Sequence, residues 1–177
     1  GIQTLGDDKE AYRYIFLPKN NRRQDDFGDL IAFAQFFGED GPGFEALVGE
    51  YIDVDQWLRA FALATLPGAI DHYAGGSGHN AVFYVRPEDG RVLYFPHDLD
   101  FFPGAVTKAV VGHPDLERLI ASPPRARIYY GHLHDIIQTA YNGEYMGHWC
   151  EQLGGLLPNQ DFEGHLDFIT ARAAWVL

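Results

Sequence analysis

Asp71, Asn80 and Asp98 stand at the ends of apolar runs near the middle of this chain, with Asp100 two residues beyond. Asp71 follows the stretch that ends Pro67-Gly68-Ala69-Ile70. Asn80 opens Ala81-Val82-Phe83-Tyr84, and Asp98 follows Val92-Leu93-Tyr94-Phe95-Pro96-His97. A side chain so placed is held firmly and still reaches a cleft. Carboxylate and amide oxygens are hard ligands suited to Mg²⁺. A further carboxylate can orient a hydroxyl and take its proton. An Asp, an Asn and a second Asp are therefore the parts of a phosphoryl-transfer site, which works by positioning and charge neutralisation. Each residue also has a plainer explanation: a turn aspartate, a loop amide, a capping acid. Their succession at consecutive element ends sets them apart.

The elements that must position them follow from periodicity and punctuation. Asp53 with Gln56 three residues on makes a capping-box start. Trp57, Leu58, Phe61, Ala62, Leu63, Thr65 and Leu66 then give a helix that is apolar almost all round and predicted to be buried. Pro67-Gly68 ends it just before Asp71. Residues 81 to 86 and 91 to 96 form a predicted β-hairpin around the turn Pro87-Glu88-Asp89-Gly90. Upstream, Tyr12 to Leu17 reads as a strand ended by Pro18. Asp25 and Asp26 cap a predicted helix carrying Phe27, Leu30, Ile31, Ala34 and Phe37. Gly38 to Gly43 breaks it, and a short helix from Phe44 to Gly49 follows. From Pro114 the chain reads as helices over about 114–121, 124–142, 144–156 and 160–176. The fold class is α+β: helix-rich, with one central hairpin carrying the candidate residues.

Other side chains are weaker candidates. Gly75-Gly76-Ser77-Gly78 lacks the spacing and the Lys of a P-loop. It reads as a flexible link that lets Asp71 and Asn80 converge, with phosphate contact through its N–H groups as a second use. Ser77 lacks a Ser-His-Asp context for acyl-enzyme chemistry. His72, His79 and His97 with Asp98 form an alternative set soft enough for Zn²⁺ or Fe. His132 and His134 point to different helix faces, and His113, His148 and His165 show no ligand spacing. Arg125 or Arg127 could reach the cleft and contact a phosphate, though a buried ion pair or an exposed charge is the commoner fate of such a residue. Trp149 and Trp175 read as core.

Composition narrows the classes. At 177 residues with 46% apolar content, the chain is one domain, or one lobe of a larger one, with a substantial core. A net charge of -12 with three lysines argues against a nucleic-acid partner. No stretch is long and apolar enough for a membrane span. The single cysteine, Cys150, excludes an internal disulfide and any multi-Cys metal site, and reads as a small buried side chain. No signal peptide is visible and the chain opens Gly1-Ile2-Gln3-Thr4, as an excised or processed segment would.

The ordered set resembles the CotH kinase family, atypical protein kinases named for a spore-coat protein. The residues that carry the resemblance are Tyr51-Ile52-Asp53-Val54-Asp55-Gln56-Trp57-Leu58-Arg59, Asp71-His72, His79-Asn80-Ala81-Val82-Phe83-Tyr84 and Pro96-His97-Asp98-Leu99-Asp100, with Arg127-Ile128-Tyr129-Tyr130 downstream. The resemblance implies ATP with Mg²⁺ (or Mn²⁺) as cofactors and protein Ser/Thr as acceptor. It implies that Asp71 is catalytic and that Asn80 and Asp98 hold the metal, with Asp100 matching the motif beside them. It also implies that residues 1–177 are the C-terminal lobe of a kinase-like domain. His97 stands where the family signature has Trp. No glycine-rich loop followed by a strand Lys is present, which places the nucleotide-covering lobe upstream of Gly1. The expectation is that this segment alone binds ATP weakly and turns over little or not at all. A secreted or cell-surface setting is compatible with the family, and the compartment stays open.

Two rival readings differ in class. A metal-dependent phosphohydrolase would use His72, His79, His97 and Asp98 and hold Zn or Fe tightly. A kinase-like module without catalysis would serve attachment or assembly and bind no nucleotide.

Overall fold

The helix that leads to Asp71 forms where the sequence predicts it. In the computed structural model, which describes residues 1–38, 43–100 and 103–177, eight α-helices among the described residues accompany one two-stranded sheet. They are α1 (Lys9–Ile15), α2 (Gly28–Gly38), α3 (Gly43–Tyr51), α4 (Val54–Thr65), α5 (Pro114–Leu119), α6 (Pro123–Thr139), α7 (Gly143–Leu153) and α8 (Phe162–Val176), with β1 (Ala81–Val85) and β2 (Val92–Pro96). The chain is α+β and helix-rich. It forms two compact units: Gly1–Trp57 with Phe83–Tyr94, and Leu58–Val82 with Phe95–Leu177.

In the first unit the core is aromatic. Trp57 has no exposed surface and its ring lies 5.2 to 5.8 Å from those of Phe33, Phe37, Phe83 and Tyr94. Its indole N–H donates to Val92 O at 2.8 Å, so the one polar atom of this large side chain is satisfied. The capping box is half made. Gln56 N–H donates to Asp53 Oδ1 at 3.2 Å. The Gln56 side chain instead clamps the backbone of Tyr94, donating to its O at 2.6 Å and accepting from its N–H at 3.1 Å. That pairing fixes the register of β2 against the start of α4.

Tyr12 to Leu17, read as a strand, is not one: residues 9–15 are helix α1. Asp8 accepts from Glu10 N–H at 3.0 Å, and Glu10 pairs with Arg13 at 2.8 Å one turn on. A side-chain cap and an i,i+3 ion pair outweigh the strand preference of Tyr12, Tyr14 and Ile15. Helix α2 agrees with the reading, and Asp26 Oδ1 accepts Gly28 N–H at 2.9 Å at its start. Most of the break expected over residues 38 to 43 lies outside the described residues.

In the second unit α4 is buried except on one edge, where Leu63 is half exposed. The helices after residue 113 match the predicted ones closely. Trp149 and Trp175, read as core, are each 44% exposed. Helix α7 buries no residue fully, and Cys150 on it is half-buried rather than buried.

Candidate active site

The site begins with how α4 stops. Its last carbonyls would be left without partners. Arg172 of α8, with no exposed surface, donates to Leu66 O at 2.9 Å and Thr65 O at 3.2 Å. The same guanidinium donates to Val106 O and Lys108 O, each at 2.6 Å. Lys108 Nζ donates to Ala69 O at 2.6 Å. Arg172 thus sits at the negative end of the helix, where its dipole favours a cation, and Lys108 holds the turn that follows. Burial lowers the pKa of both, and Arg172 adds to the effect on Lys108. His72 is fully buried and its Nε2 lies 3.1 Å from Ala69 O. A carbonyl only accepts, so Nε2 carries the proton. Burial lowers the His72 pKa, which keeps the ring neutral. No feature of the sequence marked Arg172 or Lys108. Their role needs the fold to bring position 172 to position 66.

With that segment fixed, Asp71 turns outward and is partly exposed. Its Oδ1 accepts from Ser77 Oγ at 3.3 Å and lies 3.1 Å from His79 Nε2. Ser77 Oγ is 2.9 Å from the same His79 nitrogen. Ser77 Oγ spends its one hydrogen on Asp71, so in the contact with His79 it accepts, and His79 Nε2 bears hydrogen. Nothing in the sequence gives Ser77 a Ser-His-Asp context, yet the fold brings these three together. The wiring is still not a hydrolytic relay, in which His receives the Ser proton on one nitrogen and gives the other to Asp. Here Asp71 itself is the acceptor of the serine hydroxyl.

Asn80 and Asp98 flank the hairpin's open end. Asn80 O accepts His97 N–H at 3.2 Å, continuing the ladder one pair past β1 and β2. Asn80 has φ 57° and Asp98 φ 54°. This left-handed backbone costs most L residues about 1 kcal/mol, and Asn and Asp tolerate it best. The Asn80 amide donates through Nδ2 to Asp71 O at 2.7 Å. That bond assigns nitrogen and oxygen of the amide and leaves Oδ1 without a protein partner among the described residues. The side chains of Asp98 and Asp100 also have no hydrogen bond or ion pair among the described residues, and both are exposed. Hard oxygen atoms on Asn80 and Asp98 are thus uncommitted, and the donor chemistry fits a Mg²⁺-type cation.

The sequence matches the CotH kinase protein family over residues 1–174. The chain belongs to the CotH kinase family. A search of curated proteins finds no match. Family membership makes this a kinase-like protein, and no helix among the described residues is long and apolar enough to cross a membrane.

Several secondary readings change in this member of the CotH kinase family. The glycine link is a fixed turn rather than a loose one. His72 O accepts from Gly75 N–H at 2.9 Å and Ser77 N–H at 3.1 Å, and Tyr73 O accepts from Gly76 N–H at 3.0 Å. Three of its N–H groups are therefore spent and cannot cradle a phosphate. Gly75 is obligatory, because a Cβ there would stand 2.7 Å from Ile70 O. Among the described residues no three His, Cys, Asp or Glu side chains gather as a metal-holding group. The alternative set of His72, His79, His97 and Asp98 is not assembled, since His72 is buried against Ala69. Arg125 donates to Leu119 O at 2.5 Å, and Arg127 is exposed. His113 is a core residue. Burial pushes its pKa down to about 4, and its ring packs 4.4 Å from that of Tyr73.

Proposed function

We propose that this CotH kinase domain transfers phosphate from ATP to Ser or Thr hydroxyls of a protein, with residues 1–177 acting as the kinase-like C-terminal lobe. Asn80 Oδ1 and Asp98 would hold Mg²⁺ or Mn²⁺, with Asp100 beside them. The bound cation would supply neutralisation of the charge that builds on the phosphates. Asp71 orients the acceptor hydroxyl and takes its proton late. His79 and Ser77 hold the Asp71 carboxylate in place, and the capped end of α4 holds its backbone.

One observation carries the reading. The Asn80 amide spends its nitrogen on the backbone of Asp71, while its oxygen and the Asp98 carboxylate remain uncommitted. This ties a base and a ligand together in one piece of backbone. The test is phosphate transfer from labelled ATP to a protein acceptor by the full-length protein. Asp71→Asn should lower the rate by about a thousandfold, the equivalent of several kcal/mol of transition-state stabilisation, with the melting temperature unchanged. Undiminished transfer in Asp71→Asn would contradict the proposal.

A further inference from the structure

We propose that Ser77 is itself a phosphoacceptor, modified in cis by the site it touches. This inference rests on the phosphoryl-transfer reading above and names a modification site within it. The mechanism asks an acceptor hydroxyl to donate to Asp71, and Ser77 Oγ already does so at 3.3 Å. Its protein neighbours leave the hydroxyl approachable. Ser77 is only partly buried, and a Cβ built on Gly76 or Gly78 meets nothing within 4 Å. Ser77 also lies three residues from Asn80, whose amide is tied to Asp71. The candidate base, the candidate ligand and this serine therefore belong to one short, hydrogen-bonded segment.

In the step, Ser77 Oγ bonds to the terminal phosphorus of a nucleoside triphosphate. That phosphorus loses its bridging oxygen to the departing diphosphate, and the hydroxyl proton passes to Asp71. The product places a phosphate of about −2 charge beside the Asp71 carboxylate. His79 Nε2–H then donates to the phosphate, and Asp71 passes its proton to water and stands as a like charge beside it. Each molecule reacts at Ser77 once.

The experiment incubates the full-length protein with Mg-ATP and an external protein acceptor, then maps phosphate on both by peptide mass spectrometry. The expected result is phosphate on Ser77, at a rate per molecule unchanged by dilution, and its loss in Ser77→Ala. Phosphate on the external acceptor with Ser77 unmodified overturns this inference and leaves the proposed function standing. Transfer to neither overturns both. A rate on Ser77 that falls with dilution overturns the assignment in cis. A nucleotide-free readout accompanies these: Ser77→Ala should shift the His79 imidazole resonances. Unchanged resonances would remove the contact on which the inference stands.

Discussion

The two ends of the same hairpin treat their aspartates in opposite ways. At the turn, Arg86 binds Asp89 at 2.6 Å and Asp53 at 3.1 Å, and Arg91 reaches Asp89 at 3.5 Å. Asp53 also caps α4. Asp53 and Asp89 are each answered by both a cation and an N–H, while Glu88 in the same turn is exposed and has no such partner among the described residues. At the open end, Asp98 and Asp100 have no such partner among the described residues, and Asn80 keeps its amide oxygen uncommitted. The first cluster closes a turn. The second carries unspent ligand capacity on backbone held in a left-handed conformation. Strained backbone and uncommitted oxygens at one place are what a ligand-holding site shows, and a satisfied ion-pair cluster is not.

The sharpest way to break this contrast is to remove a charge at each end. Asp98→Asn keeps the backbone tolerance and deletes the anionic ligand. Phosphate transfer by the full-length protein should fall by about a thousandfold, with no change in melting temperature. Arg86→Met should leave transfer intact. Transfer assays and thermal melts on both variants decide it, and equal losses of activity would erase the distinction.

A second pair separates backbone from side chain at position 80. Asn80→Ala should lose transfer and also about 1 kcal/mol of stability from the left-handed backbone. Asn80→Gly should recover the stability and not the transfer. Denaturant melts of the two variants report the difference.

The turn cluster makes its own prediction. The Arg86 hydrogen bonds hold the Asp89 carboxyl down to about 2, below its ordinary 3.8. A depressed carboxylate stabilises the fold above pH 4 or so, and that contribution is lost as pH falls toward 2. The pairs are solvent-facing, so the effect is small and added salt should shrink it. Arg86→Met should flatten this part of the stability profile.

A buried histidine acts in a higher window. Burial holds His113 at about 4, against an ordinary 6.5, with the Asp115 carboxylate opposing the shift and His72 adding to it. Between those values the unfolded chain binds a proton that the folded chain refuses. Stability is therefore complete above 6.5 and declines as pH falls toward 4. His113→Asn should reduce this slope in pH-dependent melts.

Much of this arrangement is legible in the sequence, for identifiable reasons. Trp57, Leu58, Phe61 and Ala62 recur at helical spacing, and Pro67-Gly68 stops the helix, so the approach to Asp71 can be read directly. Alternation with a Pro-Glu-Asp-Gly turn gives the hairpin. The pieces that escape are those made by tertiary contact. Arg172 caps α4 and Lys108 ties down the turn after it, both from far along the chain. Ser77 and His79 meet Asp71 only because Gly75 lets the turn pass against Ile70 O. The strand expected at Tyr12 fails because Asp8 and Glu10–Arg13 decide the local structure.

The central claim is that the hairpin's open end, and not its turn, holds the divalent cation. Paramagnetic broadening by Mn²⁺, added with a non-hydrolysable ATP analogue to the full-length protein, tests it directly. The account predicts that Asn80 side-chain amide and Asp98 signals broaden first and that Asp53 and Asp89 signals stay sharp. Broadening centred on Asp53 and Asp89, or none at Asn80 and Asp98, would contradict it.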